Sequence, residues 1–250
     1  MLKAHKFSCL TYHKLGELAG QYSVSERQFN DQLSLLQKED YLVEGFEQLE
    51  LKLRLGQSVP SRYVVLTVDD GHESAMPAAD LLGKYGCQAS FFLTRDRSVS
   101  MPGYICEKDI RELRRRGFSV GTHGATHRKL TFLPTEHCMR ELTESKRWLE
   151  DVIGEEVRYM AAPGGFIDAR VRKLAYECGY VLLGTCAERM NSPDTMPLPT
   201  SVNRFTVRQH FSLQTFQRIV KGHPGFCLRR RVRAWGLAVP RWLLYRWDHH

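Results

Sequence analysis

Two adjacent carboxylates at the end of an apolar run mark where this chain could do chemistry. The segment Leu66-Thr-Val-Asp-Asp-Gly71 carries β-forming residues straight into Asp69 and Asp70. Two like charges buried at a strand end cost free energy unless a cation or hydrogen bonds offset them. Alone, the motif would read as a turn, because Asp-Gly pairs also mark simple turns. A second motif changes the weighing. Ser119-Val-Gly-Thr-His-Gly-Ala-Thr-His127 again takes a strand into a loop, with His123 and His127 four positions apart. That spacing sets both imidazoles on one side of a helical turn, able to hold one metal. Two nitrogens and one aspartate oxygen leave open positions for water and substrate, as metal-assisted hydrolysis requires. Such a donor set implies one divalent ion, with zinc the first choice and cobalt or nickel as alternatives.

The elements that must position these residues alternate between short β-rich runs and helix-period segments, the pattern of an α/β fold with parallel strands. Strands are expected at Phe7–His13, Tyr63–Asp69, Gln88–Thr94, Ser119–His123, Arg158–Ala162 and Tyr180–Thr185. Helices are expected at Ser25–Lys38, Ala75–Tyr85, Glu107–Arg116, Thr135–Ile153 and Asp168–Cys178. The last four run into Gly86, Gly117, Gly154 and Gly179, and glycine past a helix end can close it in the left-handed conformation. Asn191–Thr200, with three prolines, reads as a loop. In such folds functional residues gather where strands end and loops begin.

The chain has 250 residues and a formal net charge of +8. Residues 221–250 alone carry seven Lys/Arg against Asp248, so the excess belongs to an Arg/Trp-rich tail and the body is nearly balanced. The expected organisation is a catalytic body over 1–220 and a basic tail over 221–250. The tail holds Trp235, Trp242 and Trp247 among its arginines. It suits either an anionic membrane surface or a helix packed on the body with a solvated basic face. The body shows no basic stripe or nucleic-acid motif, so no nucleic acid is expected. The seven cysteines include no CxxC pair, which argues against a disulfide framework or a cysteine zinc site. No apolar stretch approaches the ~20 residues of a membrane span, and the first residues show no leader pattern, so a cytoplasmic location is expected.

With these motifs in hand, the chain resembles the polysaccharide deacetylase (NodB-like) family. The family's Thr-Phe-Asp-Asp-Gly is similar to Thr67-Val68-Asp69-Asp70-Gly71, and its His-Ser/Thr-x-x-His to His123-Gly-Ala-Thr-His127. Leu10-Thr-Tyr-His13, Ala89-Ser-Phe-Phe-Leu-Thr94 and the run Glu141–Glu150 extend the resemblance over about residues 7 to 185. It implies a distorted (β/α) barrel of about seven strands. It also implies that Asp70, His123 and His127 bind the metal and that Asp69 is the general base. The family's late Leu-x-His motif has no counterpart here, since His210 and His223 lie in unmatched segments. In poly-N-acetylglucosamine deacetylases the early Tyr-His strand supplies the general acid instead, which implies that role for His13. The third motif departs from the family. Met160-Ala-Ala-Pro-Gly-Gly165 stands where Arg-Pro-Pro-Tyr/Phe is usual. Ala161 replaces the arginine, so Asp69 is expected to lack its orienting partner and to have a raised pKa. Pro163, Gly164 and Gly165 are expected to form a backbone wall of the substrate cleft.

The resemblance implies hydrolysis of N-acetyl groups on hexosamine units of a polysaccharide or its lipid-linked precursor. The rivals are a catalytically silent glycan-binding module on the same barrel, and an O-acetyl esterase or cyclic amidase. His72 and Glu73 adjoin the carboxylates as either cleft or solvated-loop residues, and His137 reads as surface.

Overall fold

Strands that are covered on both faces cannot alternate apolar and polar residues, and the runs around the carboxylates do not. All six positions of Tyr63–Val68 are buried, as are all five of Ser8–Tyr12. The computed structural model describes residues 5–16 and 20–223. In its first half the elements are β1 (Ser8–Tyr12), β2 (Lys14–Leu15), β3 (Ser23–Val24), α1 (Glu26–Lys38), β4 (Leu42–Glu44), α2 (Phe46–Arg54), β5 (Tyr63–Val68), α3 (Ala75–Lys84), β6 (Ser90–Leu93), α4 (Arg95–Ser100) and α5 (Glu107–Arg115). There follow β7 (Ser119–Thr122), α6 (Thr135–Ile153), β8 (Tyr159–Ala161), α7 (Ala169–Glu177), β9 (Leu182–Thr185), β10 (Thr200–Asn203), β11 (Phe205–Thr206) and α8 (Leu213–Val220).

The main sheet is parallel throughout and runs β10-β9-β8-β7-β6-β5-β1-β11, with β4 added to the first half of β5. Its two edges, β10 and β11, are consecutive in the chain and separated by one residue, Arg204. The chain thus steps from one end of the sheet to the other across a single residue, and this seam brings the sheet to near closure. The expected distorted (β/α) barrel is what forms, with β10 and β11 sharing the last position of the wall.

Side chains alternate along each strand between two cores. Val64, Leu66 and Val68 face outward to the helices with Leu10, Phe91, Leu93, Met160 and Leu183. Tyr63 and Val65 face inward with Cys9, Phe92, Tyr159, Ala161 and Leu182. By the same period Thr67 and then Asp69 follow Tyr63 and Val65 on the inner face. The bottom of the barrel is plugged by α2, whose Phe46 packs edge-on against Phe92 at 5.1 Å and Tyr159 at 6.2 Å.

The expected strands all form, each trimmed by a residue or more at one end or both. Ser25 caps α1 through Gln28 N, and Gly154 ends α6 at φ 70°. The plug α2, the short α4 and α8, and strands β2–β4, β10 and β11 were not legible as elements. The segment 191–199 is loop apart from a single turn at Pro193–Thr195, before β10 begins at Thr200. The six described cysteines are all free thiols, Cys106 exposed among them. Among the described residues no helix is long and apolar enough to cross a membrane. Residues 224–250, which include nearly all of the basic tail, lie outside the described residues.

If α2 closes the barrel floor, Phe46→Ala should lower stability by about 3–5 kcal/mol in denaturant unfolding. A loss under about 1 kcal/mol would mean the plug packs more loosely than these contacts imply.

Candidate active site

The inner face of β5 delivers Asp69 to the top of the barrel, and the ladder extends one step to hold it: Asp69 N donates to Tyr12 O at 2.8 Å. There the carboxylate meets Arg204. Nη1 donates to Oδ1 at 2.7 Å and Nη2 to Oδ2 at 2.9 Å, a bidentate pair with both side chains buried. The guanidinium also donates to Thr67 Oγ1 at 3.1 Å and, through Nε, to Thr185 O at 3.1 Å. Thr67 in turn bonds Thr11 at 3.0 Å, so a polar layer underlies the carboxylate. Burial pushes the Asp69 carboxyl up, but the Arg204 charge and the nearby His123 pull it below the usual aspartate value.

This overturns the expectation drawn from Ala161. Asp69 does have its arginine, and its pKa is lowered rather than raised. The partner comes from the barrel seam instead of the third motif. Ala161 is fully buried in the inner core beside Phe92, and the Arg204 guanidinium lies 5.5 Å from the centre of that same Phe92 ring. Gly184 makes the room, since a Cβ there would lie 2.9 Å from Arg204 Nε. No local sequence signal marks Arg204, which sits in the mixed run Val202-Asn-Arg-Phe-Thr-Val207.

Asp70, His123 and His127 converge, with ligand atoms all within 4.8 Å of one another. His127 Nε2 lies 2.9 Å and His123 Nε2 3.5 Å from the same oxygen, Asp70 Oδ1. His123 Nδ1 is 2.8 Å from Ala161 O, which fixes Nδ1 as the protonated nitrogen and leaves the Nε2 lone pair facing the cluster. Burial pushes the His123 pKa down to about 4, so the ring is neutral at pH 7. Burial raises the Asp70 carboxyl, but the surrounding imidazoles of His127, His123 and His13 draw it far below the carboxylate range. Oδ1 is buried, with His127 Nε2 at 2.9 Å and Arg97 Nη1 at 2.8 Å but no well-directed hydrogen bond. A neutral imidazole oriented from behind, a second histidine and a carboxylate oxygen that both imidazoles face form a donor set that fits a divalent cation. Asp70 and His127 both hold left-handed backbone, φ 77° and 64°, which non-glycine residues adopt at a cost.

Two supports hold that strain. The chain after Asp70 is tied to the 103–105 segment, through Glu73 N to Gly103 O at 2.8 Å and Ile105 N to Gly71 O at 2.9 Å. The histidine loop is held by Glu141 on α6. Its Oε2 accepts from Ala125 N at 2.7 Å and Thr126 N at 2.9 Å, while Oε1 accepts from the Thr126 hydroxyl. Glu141 lay unremarked within the helix before the third motif, because its job depends on a loop fifteen residues earlier.

His13 reaches the same site. It stacks on Tyr22 at 5.1 Å, its Nδ1 is buried without a partner, and it feels the charges of Asp69 and Asp70. Burial lowers its pKa against the pull of both carboxylates. Pro163, Gly164 and Gly165 form a tight turn after β8, with Gly164 at φ 72° in left-handed backbone. Gly165 takes φ 77° with Cys186 so close that any Cβ would overlap it at 2.4 Å. Pro163 abuts the histidine loop, its Cγ 3.4 Å from where a Gly124 Cβ would lie. Arg97, which sequence reasoning passed over, places Nη1 2.8 Å from Asp70 Oδ1 with its guanidinium 5.2 Å from the Tyr104 ring centre. His72 bridges to Tyr104, whereas His137, His210 and His223 are exposed.

Removing one member of the buried pair should be far worse than removing both. Arg204→Met should cost about 3–5 kcal/mol in unfolding experiments, and Arg204→Met with Asp69→Leu should recover most of it. A double variant as unstable as the single one would count against the pair. Glu141→Ala should weaken zinc binding about 10- to 100-fold by calorimetry with the fold retained. Unchanged affinity would relieve Glu141 of its part in holding the loop.

Comparison with known proteins agrees with this geometry. A family model described as polysaccharide deacetylase matches residues 56–183. YxkH of Bacillus subtilis is 23% identical over 179 residues, 71% of this chain and 63% of that protein. The peptidoglycan-N-acetylglucosamine deacetylase of Bacillus cereus is 27% identical over 48% of this chain and 54% of its own length. This chain therefore spans between half and two thirds of the length of these relatives. In fold it is similar to the Streptococcus pyogenes deacetylase PplD, solved with acetate (TM-score 0.79, 21% identity, 87% of this chain and 99% of that one). IcaB from Ammonifex degensii is comparable (TM-score 0.78, 22% identity, 88% and 98%). With the family model covering 56–183 and the Asp69-Asp70 and His123–His127 motifs both inside it, the chain belongs to the polysaccharide deacetylase family.

Proposed function

We propose that this protein is a metal-dependent hydrolase that removes N-acetyl groups from hexosamine units of a glycan. The observation that carries the reading is a metal-fitting trio, Asp70, His123 and His127, beside a second carboxylate that an arginine keeps ionised and outside the trio. A divalent cation on the trio would supply a Lewis acid for the acetyl carbonyl and for water at the site.

The chain's own groups account for the proton movements. Asp69, held ionised by Arg204, accepts a proton as water attacks the acetyl carbon. The bidentate pair also fixes the carboxylate's orientation, which a general base needs as much as its charge. The amide C–N bond then breaks, giving acetate and an amine whose nitrogen takes a proton. His13 is the group we assign to that step, because it shares the cleft with both carboxylates; burial holds its pKa below the ordinary histidine value, against their pull. The wall Pro163–Gly165 bounds the space where the acetylated sugar would lie.

The silent-module reading drew its support from the missing arginine and the missing late histidine motif. Arg204 removes the first of these, His13 is the group we assign in place of the second, and a module that only binds would gain nothing from a buried, arginine-held carboxylate. Relatives named for peptidoglycan N-acetylglucosamine and for chitin make N-acetylglucosamine the first sugar to test. Polymer, short oligomer and lipid-linked sugar are the forms to compare.

Zinc-reconstituted protein should release acetate and expose one new free amine per acetate from N-acetylglucosamine oligomers. Asp69→Asn should keep the metal and lose at least about 100-fold in rate, the scale of general-base catalysis. Acetate released only from O-acetylated glycan, with no new amine, would identify an esterase, and stoichiometric metal without acetate from any glycan would restore the binding module.

A further inference from the structure

Among the described residues, the two exposed phenylalanines both belong to loops that build the cleft. Phe132 is 59% exposed and ends the turn Leu130–Phe132 that follows the histidine loop. Phe166 is 54% exposed and immediately follows the wall Pro163–Gly165. Neither ring belongs to either core, so packing gives no reason for two phenyl groups to face water here.

One side chain ties them together. Lys129 Nζ lies 5.7 Å from the Phe132 ring centre and 5.9 Å from that of Phe166, a cation between two rings from different loops. Both neighbours close over Gly164: a Cβ there would meet Lys129 Cε at 3.4 Å and Phe166 Cδ2 at 3.5 Å. The wall residue expected to face the substrate is thus the floor beneath the lysine and one ring. Lys129 lies two residues after His127 and Phe166 directly follows the wall Pro163–Gly165, so the group hangs on the two loops that carry the histidine and the wall.

We propose that Phe132, Lys129 and Phe166 form a carbohydrate subsite that takes a sugar ring flanking the one being deacetylated. The inference rests on the glycan reading above and narrows it to oligomeric substrates. A pyranose has an apolar face of C–H groups and a rim of hydroxyls. Exposed aromatic faces match the first, and an ammonium with hydrogens to donate matches the second, or a carboxylate where the sugar is acidic. A brace between two loops would use the ring surface that meets the lysine but would not call for each phenylalanine to stay more than half open to water. A protein partner would call for a wider apolar patch than two rings split by a charge.

The test compares the wild type with Phe132→Ala/Phe166→Ala and with Phe132→Trp, all at surface positions where folding is not at stake. Calorimetric titration of metal-free protein with the N-acetylglucosamine tetramer reads the subsite without any turnover. The double variant should bind roughly tenfold more weakly, and Phe132→Trp should bind at least as well as wild type. With zinc-loaded protein the double variant should raise KM for the tetramer by a similar factor and leave kcat and the hydrolysis of 4-nitrophenyl acetate unchanged. Tetramer binding that is undetectable in wild type, or equal in wild type and double variant, overturns the subsite. Failure of the wild type to deacetylate any glycan while the binding difference persists would overturn the hydrolase reading and leave the subsite standing.

Discussion

The pairing of Asp69 with Arg204 is the interaction on which both the fold and the chemistry of this protein turn. A carboxylate buried at the mouth of a barrel stays ionised only if an equally buried cation is fixed opposite. Here that cation is the one residue between β10 and β11, the strands that form the two edges of the sheet. Barrel closure therefore delivers the arginine, and the arginine in turn satisfies the charge that closure buries. Thr67, Thr11 and the Thr185 carbonyl take up the hydrogen bonds that remain, so the polar layer is saturated before the carboxylate reaches the cleft. Gly184 lets the guanidinium pass, and Ala161 occupies little of the inner space beside it.

Around this fixed pair the metal-fitting cluster is built under tension. Asp70 turns away from its neighbour because left-handed backbone redirects the chain at the strand end, and His127 does the same at the far end of its loop. Neither conformation would persist in an unsupported loop. The 103–105 segment holds the first, and the Glu141 carboxylate holds the second. Adjacent aspartates thereby acquire different surroundings: Asp69 has an arginine, and Asp70 has two imidazoles and a guanidinium edge. The division of labour between them follows from those surroundings.

Much of this was legible in the sequence. Two-sided apolar runs identified the six central strands, and the chemistry-bearing residues fell at their ends, where loops have freedom to diverge. Helix ends were marked by glycines such as Gly154. Legibility failed where meaning depends on a partner far along the chain. Arg204 lies 135 residues from Asp69, in a stretch whose flanking strands are four and two residues long, so no local period announced it. The blank at Ala161 was therefore mistaken for a missing function, when the function had moved to another strand facing the same space. The plug α2 hid for a related reason: its Phe46 and Leu49 report a core only once the barrel floor they fill exists.

A crystal structure of the zinc-loaded protein addresses the central claim most directly, because it shows both carboxylates and their partners at once. The account predicts a single ion on Asp70, His123 and His127, with Asp69 outside the coordination sphere and still bidentate on Arg204. An ion ligated by Asp69, or an Arg204 side chain turned out of the barrel with Asp69 held by another group, would contradict it.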